Sequence, residues 1–136
     1  MGCAGAPQQT YSGPARPADE VAILRSSINA SVLEIDGTPV TGFGGAWALL
    51  PGKHEILLRI QVLTDAPNMR WNAWSYCRLT LDAIAGENYV SRVRMRKEIA
   101  PGLAEKVELE AGVADASGAL TAPVLQCSAK RPKRSR

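Results

Sequence analysis

Residues 54–62 read HEILLRIQV and residues 76–83 read YCRLTLDA. In the first stretch Ile56, Leu58, Ile60 and Val62 share one phase of a two-residue period. Glu55, Arg59 and Gln61 hold the other, with Leu57 the exception. In the second, Cys77, Leu79, Leu81 and Ala83 alternate with Tyr76, Arg78, Thr80 and Asp82. Successive side chains of a strand point to opposite faces, so this alternation marks strands with one wet face.

The same period extends outward. In NYVSRVRMR, Tyr89, Val93 and Met95 oppose Arg92, Arg94 and Arg96; in KVELEAGVAD, Val107, Leu109, Ala111 and Val113 oppose Glu108 and Glu110. EVAILR and SVLEID are shorter candidates of the same kind. DGT at 36–38, PGK at 51–53, AGEN at 85–88 and ASG at 116–118 carry turn chemistry between them. Pro51 and Gly52 suit the two central positions of a type II turn. A helical stripe is missing, and Pro101 and Gly102 limit any helix over 98–106. The expectation is an all-β fold, a small antiparallel β-sandwich of about six to eight strands.

The chain has 136 residues, room for one domain with tails. Residues 1–19 hold prolines at 7, 14 and 17, three glycines and no apolar period. They read as a flexible linker. The domain spans 20–128. Residues 129–136 form a basic, proline-broken tail expected to be disordered. Five of its residues are basic, so the net charge of +3 belongs to the tail: 11 Lys+Arg against 13 Asp+Glu leaves the body at −2. A nucleic-acid-binding domain carries its basic charge on the folded surface, so no nucleic-acid partner is expected. The tail serves either solubility or contact with anionic lipid or another acidic polymer. No apolar run is long enough to span a membrane as a helix.

Position sorts the three cysteines. Cys3 lies in the linker, Cys77 on the apolar phase of a strand, and Cys127 after APVLQ, just before the basic tail. An odd thiol in an exported protein suggests a separate fate for one of them. Setting Cys3 aside leaves Cys77 and Cys127 as a disulfide pair. Their loop of about 50 residues is worth about 4 kcal/mol at most in the chain-entropy model. The other reading leaves both as free thiols, one buried and one exposed.

Enzyme signatures are missing. A single histidine, His54, excludes a clustered-histidine metal site, and it reads as a solvated or strand-capping residue. There is no GxSxG elbow, and GFGG at 42–45 lacks the Lys-Ser/Thr end of a phosphate loop. That loop reads as a bend that lets Trp47 pack. No catalytic residue, cofactor or metal is expected. The densest aromatic stretch, NMRWNAWSY, gathers Met69, Arg70, Trp71, Trp74 and Tyr76. Trp71 and Trp74, three apart, cannot share a strand face. These residues either pack the core or form a candidate binding surface, since aromatics beside an arginine bury area at low entropy cost.

GCAGAPQQ around Cys3 resembles the junction of bacterial lipoproteins, in which a cysteine after a small residue carries acyl chains and precedes a polar tether. The apolar signal segment that should come before it is not in this sequence, as a late start or a trimmed chain would give. EVAIL, IDG, LLPGKHEILLRI, LDAIAGENYV and VADASG, in that order over residues 20–118, resemble small bacterial envelope lipoproteins of uncharacterised function. The IDG and LPGKHEI segments also resemble PEGA-type β-domains, with an immunoglobulin-like sandwich implied. The resemblance implies a non-catalytic module on the periplasmic side of a membrane, tethered by lipid on Cys3. Its implied partners are an envelope protein, a polysaccharide or peptidoglycan. The other reading is a soluble accessory subunit of a larger complex, without lipid.

Overall fold

A computed structural model describes residues 7–27, 29–40, 45–63, 72–98, 106–124 and 126–128. The strands are β1 (Gln8–Gln9), β2 (Ala22–Arg25), β3 (Ala30–Ile35), β4 (Thr38–Pro39), β5 (Ala46–Leu49), β6 (Gly52–Leu63), β7 (Asn72–Ala83), β8 (Asn88–Glu98), β9 (Lys106–Asp115), β10 (Leu120–Pro123) and β11 (Gln126–Ser128). A three-residue 3-10 turn, Ala18–Glu20, precedes β2. The fold is all-β, as the alternation requires.

The strands form two sheets. One has the order β1-β5-β2-β8-β9-β10 and the other β11-β7-β6-β3-β4. The second is antiparallel throughout. The first is mixed, because β1 runs parallel to β5 and β2 parallel to β8. Wholly antiparallel pairing is therefore corrected for this sheet. A parallel pair needs a long crossover, and here the chain between β2 and β8 makes it by passing through the opposite sheet.

One apolar cluster lies between the sheets. Leu24, Trp47, Leu49 and Val113 enter it from the mixed sheet; Ile56, Leu58, Ile60, Leu79 and Leu81 enter from the other, all at 1% exposure or less. The inward phase of β6 and β7 is thus the one their alternation marks. Burying each such side chain stabilises the fold by roughly 1.5–3 kcal/mol relative to leaving it in water. Leu57, out of phase, is nevertheless buried, and it sits on the other face opposite Glu34 and Arg78. A register shift between Val32 and Glu34 lets β3 turn both Val32 and Ile35 inward.

Ser91 also occupies the inward phase and is 1% exposed. A buried hydroxyl is costly without partners, and this one has them. It donates to the Ala30 carbonyl oxygen and accepts the Ser27 N–H at 2.9 Å. It thereby ties β8 of one sheet to the start of β3 in the other.

The expectation of a free linker over 1–19 is corrected where that segment is described. Gln8 and Gln9 pair with Trp47 and Ala48, and the Thr10 N–H donates to the Ala48 carbonyl at 3.2 Å. The Thr10 hydroxyl donates to the same oxygen at 2.8 Å. The side chains of residues 8–10 are exposed. The free edge of β5, rather than apolar burial, holds the segment down.

Candidate functional site

The β3–β4 hairpin turns through Asp36 and Gly37 at φ +52° and +79°. Two successive left-handed residues make a type I′ loop, for which Asp-Gly is a favoured pair. The turn aims the Asp36 carboxylate back at β6. One oxygen accepts the Glu55 N–H at 2.8 Å, and the other lies 2.5 Å from His54 Nδ1. The remaining ring nitrogen, Nε2, lies 2.5 Å from the Leu50 carbonyl oxygen.

The ring of His54 thus lies between a carboxylate oxygen and a backbone carbonyl oxygen, one at each nitrogen. The pair clamps the β3–β4 turn to the β5–β6 turn. Both ring nitrogens are occupied in this way, so the geometry is that of a brace between the two turns. The IDG and LPGKH motifs, 18 residues apart, meet physically through these two side chains.

Beside the brace lies a cavity of about 190 Å³. Residues 8–10 line it from the first sheet, with Trp47 of β5. Ile35, Asp36, Thr38 and Val40 line it from the β3–β4 hairpin. Trp47 is 1% exposed, and its Nε1 has no hydrogen-bond partner. A second, more open depression of about 340 Å³ runs past Ser27, Asn29, Val90 and Arg92. There the Arg92 guanidinium is committed to the Gly118 carbonyl at 2.9 Å.

Across the molecule, Cys77 and Cys127 form a disulfide with their Cα atoms 4.0 Å apart. They are direct register partners of β7 and β11. Cys77 is fully buried, whereas Cys127, on the edge strand, is exposed. The pairing of the two cysteines is therefore present, and the reading with two free thiols is not.

Of the candidate binding surface, Met69, Arg70 and Trp71 lie outside the described residues, as does Cys3. Trp74 stands on β7 opposite Gln61, and Tyr76 opposite Arg59. Tyr76 is half-buried on the face of β7 opposite the one that carries Cys77 and Leu79 into the core. On that same face Arg78 pairs with Glu55 at 2.7 Å. Among the described residues no group of three His, Cys, Asp or Glu is placed to hold a metal ion.

Sequence reading missed the cavity and the brace. Asp36 and Trp47 were legible only as a turn residue and a core residue, and residues 8–10 carry no apolar signal. The one pointer was that IDG and LPGKH occur together. No family model, curated protein or solved structure matches the chain.

Proposed function

We propose that the chain is a non-catalytic, membrane-tethered module of the bacterial cell envelope, facing the periplasm. It is anchored through lipid on Cys3 and binds or assembles with an envelope component. The observation that carries this reading is the Cys77–Cys127 disulfide. Such bonds form and persist in oxidising compartments and are rare where glutathione and thioredoxin keep thiols reduced. The occupied ring nitrogens of His54 favour a binding or assembly role over acid–base catalysis.

The docked β1 adds a distance. Five residue steps separate Cys3 from Gln8, at most about 18 Å of extended chain. A lipid on Cys3 then holds the sandwich close to the bilayer surface, with the β1 edge nearest to it.

Fractionation of the native host tests the reading. The full-length protein is expected in the membrane fraction with no titratable thiol at 77 or 127, and Cys3→Ser is expected to release a folded domain. A cytosolic protein with both thiols free would overturn it.

A further inference from the structure

Charge is unevenly placed along the sandwich. β3, β5, β7 and β9 all run toward one end, where the turns that follow them gather. Residues 16–20 lie there too, since the Gly86 N–H of the β7–β8 turn donates to the Val21 carbonyl at 2.8 Å. This end carries Asp19, Glu20, Asp36, Asp82, Glu87 and Asp115, against Arg16 and Lys53. All of these but Asp115 are exposed. The chain has 16 Lys+Arg and 13 Asp+Glu, so 14 bases face 7 acids over the rest of it. The molecule is therefore acidic at one end and basic elsewhere.

Strand direction adds a second asymmetry. β1 is parallel to β5, and β11 is antiparallel to β7. The chain therefore enters β1 from the end opposite the acidic turns and leaves β11 heading toward that same opposite end. Residues 129–136, which follow β11, hold five bases and no acid. Ser128 lies opposite Tyr76, four residues from the start of β7, or about 13 Å. Eight further residues reach up to about 28 Å, so their charges can pass beyond the end of the strands. The twelve residues of β6 hold the acidic turns about 36 Å from that end. Salt screens charges over about 8 Å at physiological ionic strength. An anionic surface at the basic end attracts the chain there without opposing the acids; a sandwich lying flat brings both within reach.

We infer that the end at which β1 starts stands on an anionic lipid bilayer, with the bases of 130–136 against the headgroups and the acidic turns pointing away. Each Lys or Arg near such a surface strengthens binding by about fivefold. A single acyl chain gives only marginal attachment, and a basic segment beside it makes the attachment stable. The inference deepens the envelope reading, and it rests on that reading for the presence of a bilayer and for lipid on Cys3 as the other contact.

The test uses the oxidised full chain with Cys3→Ser, so that no acyl chain contributes. The probes are vesicles of phosphatidylcholine alone and of phosphatidylcholine and phosphatidylglycerol in equal parts, read by co-sedimentation. Binding is expected to the anionic vesicles only, and to weaken as salt rises. Lys133→Gln with Arg134→Gln is expected to weaken it about 25-fold. Removal of 130–136 is expected to abolish it while leaving the Cys77–Cys127 bond in place. A paramagnetic headgroup in anionic nanodiscs reports the orientation by NMR. The Gln61 amide, near the end of β6, is expected to broaden ahead of the Gly37, Gly86 and Gly118 amides in the acidic turns. No binding, equal binding to neutral vesicles, or binding that the truncation leaves unchanged overturns the inference. So does stronger broadening at the three glycines, or full displacement by a soluble anionic polysaccharide of matched charge, which would make the partner a soluble polyanion. The readout needs no lipid on Cys3, so its failure leaves that anchor standing, and failure of the anchor in the host leaves the vesicle result standing.

Discussion

The two open sides of the sandwich are closed by different means. On one side β11 lies against β7, and the Cys77–Cys127 bond fixes it there. The chain reaches that strand from β10, with Val124 packed against the core and its N–H donating to the Ala111 carbonyl at 3.0 Å. On the other side hydrogen bonds alone hold β1 to β5, the Asp36–His54 brace holds the β3–β4 hairpin to β6, and the cavity lies between the two. The covalent side is packed; the non-covalent side keeps a cavity and an orphaned indole N–H. A bond that cross-links the chain tolerates a very short edge strand. A side held by a few exposed hydrogen bonds can open at low cost, which suits a place where a ligand enters.

If that contrast is right, the largest loss comes from the covalent side. Replacing both cysteines by alanine, or reducing the bond, is expected to cost up to about 4 kcal/mol, the chain-entropy value for a loop of 50 residues. Urea unfolding with and without reductant measures it, and an unchanged midpoint would break the comparison. The next loss is at Gly112, whose φ is +153°. A Cβ there would stand 2.8 Å from Pro123 Cα and closer still to the Ala122 carbonyl oxygen. Gly112→Ala is expected to push β10 off β9 and cost about 1–3 kcal/mol. Equal stability by thermal or urea unfolding would show that β10 is free to shift.

These residues also show how far the sequence could be read. The inward phase of β6, β7 and β9 was legible because an alternating pattern depends only on local chain geometry. The Asp36–Gly37 turn was legible because few residues accept its backbone. Pairing is a different matter. The parallel neighbours β2 and β8 are separated by the whole of β3 to β7, and nothing in either strand names the other. Gln8 and Gln9 read as linker because their contribution is backbone hydrogen bonding, to which side-chain pattern is blind. The Cys77–Cys127 pair was reachable by elimination, a kind of argument that Asp36 and His54 did not offer. Trp47 was legible as a packed residue, but its unsatisfied N–H exists only in three dimensions.

The non-covalent side predicts smaller effects. His54→Leu leaves the Leu50 carbonyl and one Asp36 oxygen without the ring. Asp36 is half exposed and water replaces part of the loss, so the expected cost is about 1 kcal/mol by urea unfolding. A loss as large as that of the disulfide would mean that the brace, not the cross-link, dominates. Deleting residues 1–10 is expected to change stability by less than about 1 kcal/mol, because the lost hydrogen bonds are offset by ordering entropy no longer required. The same deletion removes the wall of the cavity that residues 8–10 form, and is expected to spare the fold. Collapse of the truncated domain would show β1 to be structural.

The smallest effect is a pH dependence on the covalent side, at the turn that starts β10. Asp115 accepts the Ser117 hydroxyl at 2.5 Å, the Ser117 N–H at 2.9 Å and the Ala119 N–H at 3.2 Å. The Ser117 hydroxyl above all, and then these backbone donors, hold its carboxyl below the ordinary value, against a smaller opposing effect of desolvation. A carboxyl that is more acidic in the folded chain than in the unfolded one stabilises the fold while ionised. That contribution is complete above the unfolded value and disappears as the pH falls through the lowered, folded one. Asp115→Asn keeps an acceptor but cannot ionise. The wild type is therefore expected to exceed the variant in urea midpoint at neutral pH, and to converge on it in acid. Asp115 is half-buried beside the exposed turn residues 116–119, where water competes for its oxygens, so the gap is small. A gap that stays constant from neutral pH into acid would mean that the turn is held by its backbone alone, and that protonation there does not loosen β10 or the disulfide-bonded side it leads to.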